Sequence, residues 1–98
     1  MDRASQEALD RLLKLAQGDS GQCRRVANFL LAWWNAPELG GFDLADLFAV
    51  DSSIAADMST VFAYLARQPN AVYPEDRKAD IERILVRWRP EIMAEAVS

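Results

Sequence analysis

The sequence predicts an all-α fold: a compact bundle of four main helices plus one short helix, with the second helix (about 20–35) central. Three observations predict it. Apolar residues recur at helical spacing along the chain, and no stretch sustains the alternation of a half-buried strand. Stop and start signals punctuate that pattern at 18–20, in the loop APELGG (36–41) and in QPNAVYP (68–74). The third is size: 98 residues, 51% hydrophobic and 27% charged, make one soluble globular domain (1–98) with no room for a second core.

The first helix is expected over about 5–17, with Leu9, Leu12, Leu13 and Ala16 on one face. Glu7 with Arg11 and Asp10 with Lys14 would pair at i,i+4 on the other. Gly18 is the expected stop. Asp19 or Ser20 then caps the second helix, and Asp19 with Gln22 fits a capping-box variant. That helix should end before Pro37.

In the short third helix, Asp43 is the expected N-cap and Asp46 favours the positive end. Phe42 against Leu47 would be a hydrophobic staple. The fourth helix begins near 51–53 and reaches Arg67, with Ile54, Met58, Val61, Phe62 and Leu65 on one stripe. Pro74 opens the fifth, followed by Glu75 and Asp76; Ile81, Ile84, Leu85 and Trp88 are its core face, and Pro90 ends it. Residues 91–98 add at most a frayed turn.

The adjacent pair Trp33-Trp34 raises the question of core or surface. On a helical wheel the apolar arc of residues 26–34 spans roughly 200°, wider than the stripe of a surface helix. A helix of that kind is packed on two sides, with the two tryptophans facing different neighbours. The alternative leaves one of them, or Phe42, exposed as an interface anchor.

Several absences narrow the function. The chain has no histidine and a single cysteine, Cys23, so the commonest general base is missing and a Cys-rich zinc site is excluded. No enzymatic activity, cofactor or metal is expected. GDSG at 18–21 matches the tetrapeptide around the nucleophile of trypsin-like proteases, but no histidine exists to activate Ser20, and a helix stop followed by a cap explains it. Cys23, beside Arg24 and Arg25 in a first helical turn, invites an activated-thiolate reading; its place inside the apolar arc favours a buried small residue. Asp43, Asp46, Asp51 and Asp57 lack the spacing of a calcium loop, and capping accounts for two or three of them.

Charge is unevenly spread. Between Arg25 and Arg67 there is no basic residue, against Glu38, Asp43, Asp46, Asp51 and Asp57, within a chain of net charge −4. A nucleic-acid binder shows the reverse, so no direct nucleic-acid binding is expected. Arg83, Arg87 and Arg89 form the one basic cluster, read as a salt-bridge face with Asp80 and Asp76. No apolar run is long enough for a membrane span, and no signal peptide is visible in MDRASQEALD; the expectation is a cytoplasmic protein without membrane contact.

Residues 18–66 carry a resemblance. Gly18-Asp19, Gln22, Arg24 to Ala27, Leu30 to Asn35, Gly41 to Asp43, Val50-Asp51, Ile54-Ala55 and Asp57-Met58 are its points. This run resembles a family of small uncharacterised bacterial proteins carried on integrative conjugative elements and plasmids. The resemblance implies a mobile-element accessory setting, with no activity or catalytic residue to carry over.

The reading that follows is a non-enzymatic protein-interaction module. Its partner-binding residues are Glu38, Leu39, Phe42, Asp43 and Asp46, in the loop and the first turn of the short third helix. One rival is an acidic, anti-CRISPR-like inhibitor of a host nucleic-acid defence complex; another is a small-molecule-binding helical domain. Surplus apolar surface on so small a chain also makes a homodimer reasonable.

Overall fold

The structure, a computed structural model, describes residues 1–97, apart from the side chains of residues 96 and 97. Its elements in order are α1 (Arg3–Ala16), α2 (Gly21–Leu39), the 3-10 helix η1 (Leu44–Ala49), α3 (Ser52–Ala66), the 3-10 turn η2 (Glu75–Arg77), α4 (Lys78–Trp88) and α5 (Pro90–Val97). No described residue is in a strand. The fold is all-α.

The first helix is the hub. It packs against α2, α3 and α4, because Ala8, Leu9, Leu12, Leu13 and Ala16 recur every three to four residues and all are buried. Val26, Ala27, Leu30 and Leu31 of α2 are fully buried beside them. Burial in α2 thus matches a core helix, while the element with the most extensive packing is α1. Ile54, Met58 and Val61 of α3 and Ile81 and Ile84 of α4 complete one cluster. Phe62, expected in the same stripe, is exposed.

The capping and charge pairings differ in detail from those expected. Ser20, not Asp19, caps α2, its hydroxyl accepting from the Cys23 N–H at 3.2 Å. Gln22 reaches across to Asp51 instead of closing a capping box. On α1 the basic and acidic groups bond mostly between elements: Arg11 to Asp57, Asp10 to Arg77, with Glu7 paired to Arg3. Cross-element partners were hidden from a wheel drawn one helix at a time. Gly18 serves by its lack of a side chain, since a Cβ there would sit 2.6 Å from the Cys23 sulfur. Cys23 itself is half-buried, its sulfur accepting from Ser20 Oγ at 3.0 Å.

The second helix runs past its expected end. Its backbone breaks at Asn35 (φ −168°, ψ 75°) and then makes one more turn to Leu39. The break falls two residues before Pro37, whose ring and missing N–H oppose an unbroken helix but suit the first turn of a new one. Gly40 closes that turn at φ 99°, with its N–H on the Ala36 carbonyl at 2.9 Å. A left-handed backbone favours glycine here. Arg89 secures the corner, donating from Nε to the Leu39 carbonyl (3.0 Å) and from Nη2 to Asn28 Oδ1 (2.9 Å).

At the C-terminal end Pro74 precedes η2 and the regular helix starts at Lys78. Residues 91–97 form most of a full two-turn helix, more than the frayed turn expected, with Ile92 packed on the core. Ser98 lies outside the described residues.

Candidate functional site

A groove opens between α2 and α3, both of which rest on α1. Its volume is about 540 Å³, and the segment 40–51 forms its third wall. From α2 come Phe29, Ala32 and Trp33; from the 40–51 strap, Phe42, Leu44 and Leu47; from α3, Ala55, Met58, Ser59, Phe62 and Leu65. Ser59 is the one polar side chain among them.

The local sequence explains each wall. On α3, Phe62, Ala55 and Ser59 lie roughly 80–140° round the helix from Ile54, beyond the stripe that faces α1. In a 3-10 helix residues i and i+3 eclipse, so Leu44 and Leu47 stand on one side of η1 as a ridge. Phe42 meets Phe29 edge to face, centroids 5.3 Å apart and planes at 82°, a favoured aromatic geometry. Trp33 is held from behind, its indole N–H donating to the Val72 carbonyl at 2.8 Å.

Phe42 and Val50 tie the two ends of the strap to the core, and polar contacts hold the stretch between and beside them. None of the residues of η1 is buried. Asp43 caps it, accepting from the Ala45 N–H at 2.9 Å. Asp46 lies 3.5 Å from Arg25 Nε, close enough for an ion pair but not aligned as a hydrogen bond. At the far end Gln22 accepts from the Asp51 N–H at 2.6 Å and donates to its carboxylate at 3.4 Å. At the near end stands the Arg89–Leu39 contact.

This layout places the sequence-predicted site residues unequally. Glu38 is exposed at the end of α2, and Asp43 is exposed while it caps. Asp46 is half-buried in its pair with Arg25. Phe42 is half-buried on Phe29 and lines the groove, so its partner is Phe29 and not the expected staple with Leu47. Leu39, expected outward, belongs to the core, 7% exposed. The extra turn beyond Asn35 is what turns it in.

Surface residues that the sequence reading missed are more prominent than those it chose. Leu44, Leu47, Phe48 and Phe62 are exposed, Phe48 at 93%. The available signal was the width of the α3 arc, and the Leu44–Leu47 spacing read as 3-10.

The acidic segment is partly neutralised by folding. Arg11 grips Asp57 with two hydrogen bonds of 2.8 and 2.9 Å, and those bonds and that charge raise the guanidinium's pKa above its ordinary value. With Asp46 paired to Arg25, three carboxylates of the segment, Glu38, Asp43 and Asp51, remain exposed. Arg83 pairs with Asp80 as expected, whereas Asp76 pairs with Arg77 and Arg89 serves the α2 corner. Among the described residues no group of three or more His, Cys, Asp or Glu is arranged to hold a metal ion, and no helix is long and apolar enough to cross a membrane.

Comparison with known proteins adds one finding. Residues 6–89 match the family described as a family of unknown function, DUF7673. The chain belongs to that family. Neither the curated proteins nor the solved structures contain a match. The matched span runs from Gln6 within α1 through α4, and includes all three walls of the groove.

Proposed function

We propose that the chain is a non-enzymatic protein-interaction module that receives a protein partner in the groove between α2 and α3. The observation that carries this reading is the crowding of exposed apolar side chains: Leu44, Leu47, Phe48 and Phe62 lie on the strap and α3, against Met1, Tyr73 and Val86 elsewhere. Leu44, Leu47 and Phe62 line one groove together, and contiguous apolar surface on a small domain marks an interaction site. The missing histidine, the commonest general base, supports a role without catalysis.

A mobile-element accessory role in the bacterial cytoplasm is part of the same proposal, supported by the resemblance over 18–66. Small-molecule binding is the second reading. Its support is the groove volume of about 540 Å³, within the range of ligand pockets; against it, Phe48 stands outside the groove lining and would stay wet. The acidic-inhibitor reading has less support, because Arg11 and Arg25 already occupy two of the segment's five carboxylates.

The test is capture from host lysate by wild type and by Phe62→Glu, followed by mass spectrometry. Loss of the captured protein in the variant, with the melting temperature held within a few degrees, is the expected result. A nuclease or its guide complex among the captured proteins favours the inhibitor. Capture indifferent to Phe62 moves the site away from the groove.

A further inference from the structure

We propose that the groove's occupant is a basic amphipathic α-helix of about three turns, contributed by another protein. This rests on the interaction-module reading and names its partner's chemistry. Shape, backbone chemistry and charge each carry part of it.

Shape comes first. Ala55, Met58, Phe62 and Leu65 line the groove from α3 at spacings of three, four and three residues, and Phe29 and Trp33 face them from α2. These are the spacings of helix faces that pack against another helix. From residue 55 to 65 the α3 wall is about 15 Å long at 1.5 Å per residue, the length of three turns.

Backbone chemistry argues against a paired β-strand. A strand entering the groove needs a sheet edge to satisfy its N–H and C=O groups, and no described residue forms one. Among the lining residues Ser59 is the one with a hydroxyl, carboxylate, amide or ammonium group. A helix brings its own hydrogen bonds satisfied and can bury an apolar stripe there.

Charge then separates the partners. The strap, α3 and the lining part of α2 lie within residues 26–66, which contain no lysine or arginine. Their exposed carboxylates are Glu38, Asp43 and Asp51. A second copy seated on a two-fold axis would set acidic strap against acidic strap, like against like. A helix with Lys or Arg flanking its apolar stripe meets the opposite sign.

The experiment is a display selection. Random peptides of about 16 residues, long enough for a helix to form, are panned against the full chain. Phe62→Glu is the counter-target, its fold checked by circular dichroism. The expected winners carry apolar residues at i, i+3 or i+4, and i+7, with Lys or Arg between them. As synthetic peptides they should bind Phe62→Glu about ten-fold or more weakly, and their Lys→Glu versions should bind wild type about ten-fold or more weakly.

Groove-dependent winners that are acidic, neutral or patterned as strands overturn the basic helix while leaving the groove reading intact. Winners indifferent to Phe62, or no winners, overturn both. A homodimer in sedimentation velocity that Phe62→Glu dissolves also overturns it, and names the second copy as the occupant.

Discussion

Helix α1 and the strap 40–51 both carry leucines and both sit against α2, yet burial holds them to very different degrees. Every apolar side chain of α1 from Ala8 to Leu13, and Ala16 beyond them, is buried. None of Leu44 to Ala49 is. The strap stays in place through the half-buried Phe42 and Val50, with Arg89 at one end, Gln22 at the other and Arg25 between them. An element fixed by burial uses up its apolar surface in the fold. One fixed by a few apolar anchors and polar contacts keeps most of that surface for something else.

The contrast is sharpest in stability. Leu12→Ala or Leu30→Ala, each removing a fully buried side chain, should cost on the order of 3 kcal/mol through lost transfer energy and cavity formation. Chemical denaturation would measure it. A cost below about 1 kcal/mol at both sites would mean that the α1–α2 interface is not where burial holds the fold. Arg89→Met comes next. It removes the hydrogen bonds to Leu39, Asn28 and Trp88 but keeps much of the side-chain volume. The expected loss is about 1–2 kcal/mol, together with faster amide exchange at Gly40.

How much of this was legible follows the same division. The α1 face, the α2 burial and the Asp43 cap were all readable, since each depends on spacing within one element or on one local hydrogen bond. Phe62 was misplaced because a stripe drawn on α3 does not say which neighbour covers each side; Ile54, Met58 and Val61 join the core on the side where α3 packs against α1, and Phe62 stays exposed at the groove. Leu39 was misplaced because Pro37 signals a stop, and only the break at Asn35 permits another turn. Arg25–Asp46 and Gln22–Asp51 join residues more than twenty positions apart, beyond any local pattern.

The polar attachment of the strap can be loosened by itself. Gln22→Ala should cost on the order of 1 kcal/mol, the loss of two partly exposed hydrogen bonds. Hydrogen exchange should quicken over 44–51 while α1 amides stay unchanged, because the strap would open locally without the core opening. Equal quickening in α1 would show that the strap unfolds only with the whole domain, and the two regions would then be one cooperative unit.

The smallest effect is expected at the most prominent side chain. Phe48 is 93% exposed, so its ring is nearly as wet in the folded chain as in the unfolded one. Removing it transfers almost no apolar surface between the two states. Phe48→Ser should therefore shift stability by no more than about 0.5 kcal/mol, the usual range for surface changes away from caps and networks. Leu12→Ser, with the same kind of exchange on α1, creates both a cavity and a buried hydroxyl and should largely unfold the protein. If Phe48→Ser instead costs several kcal/mol, and the cost grows with protein concentration, Phe48 is buried in an assembled state. A concentration-independent cost of that size would place the strap in the core, and the distinction between the two regions would fall.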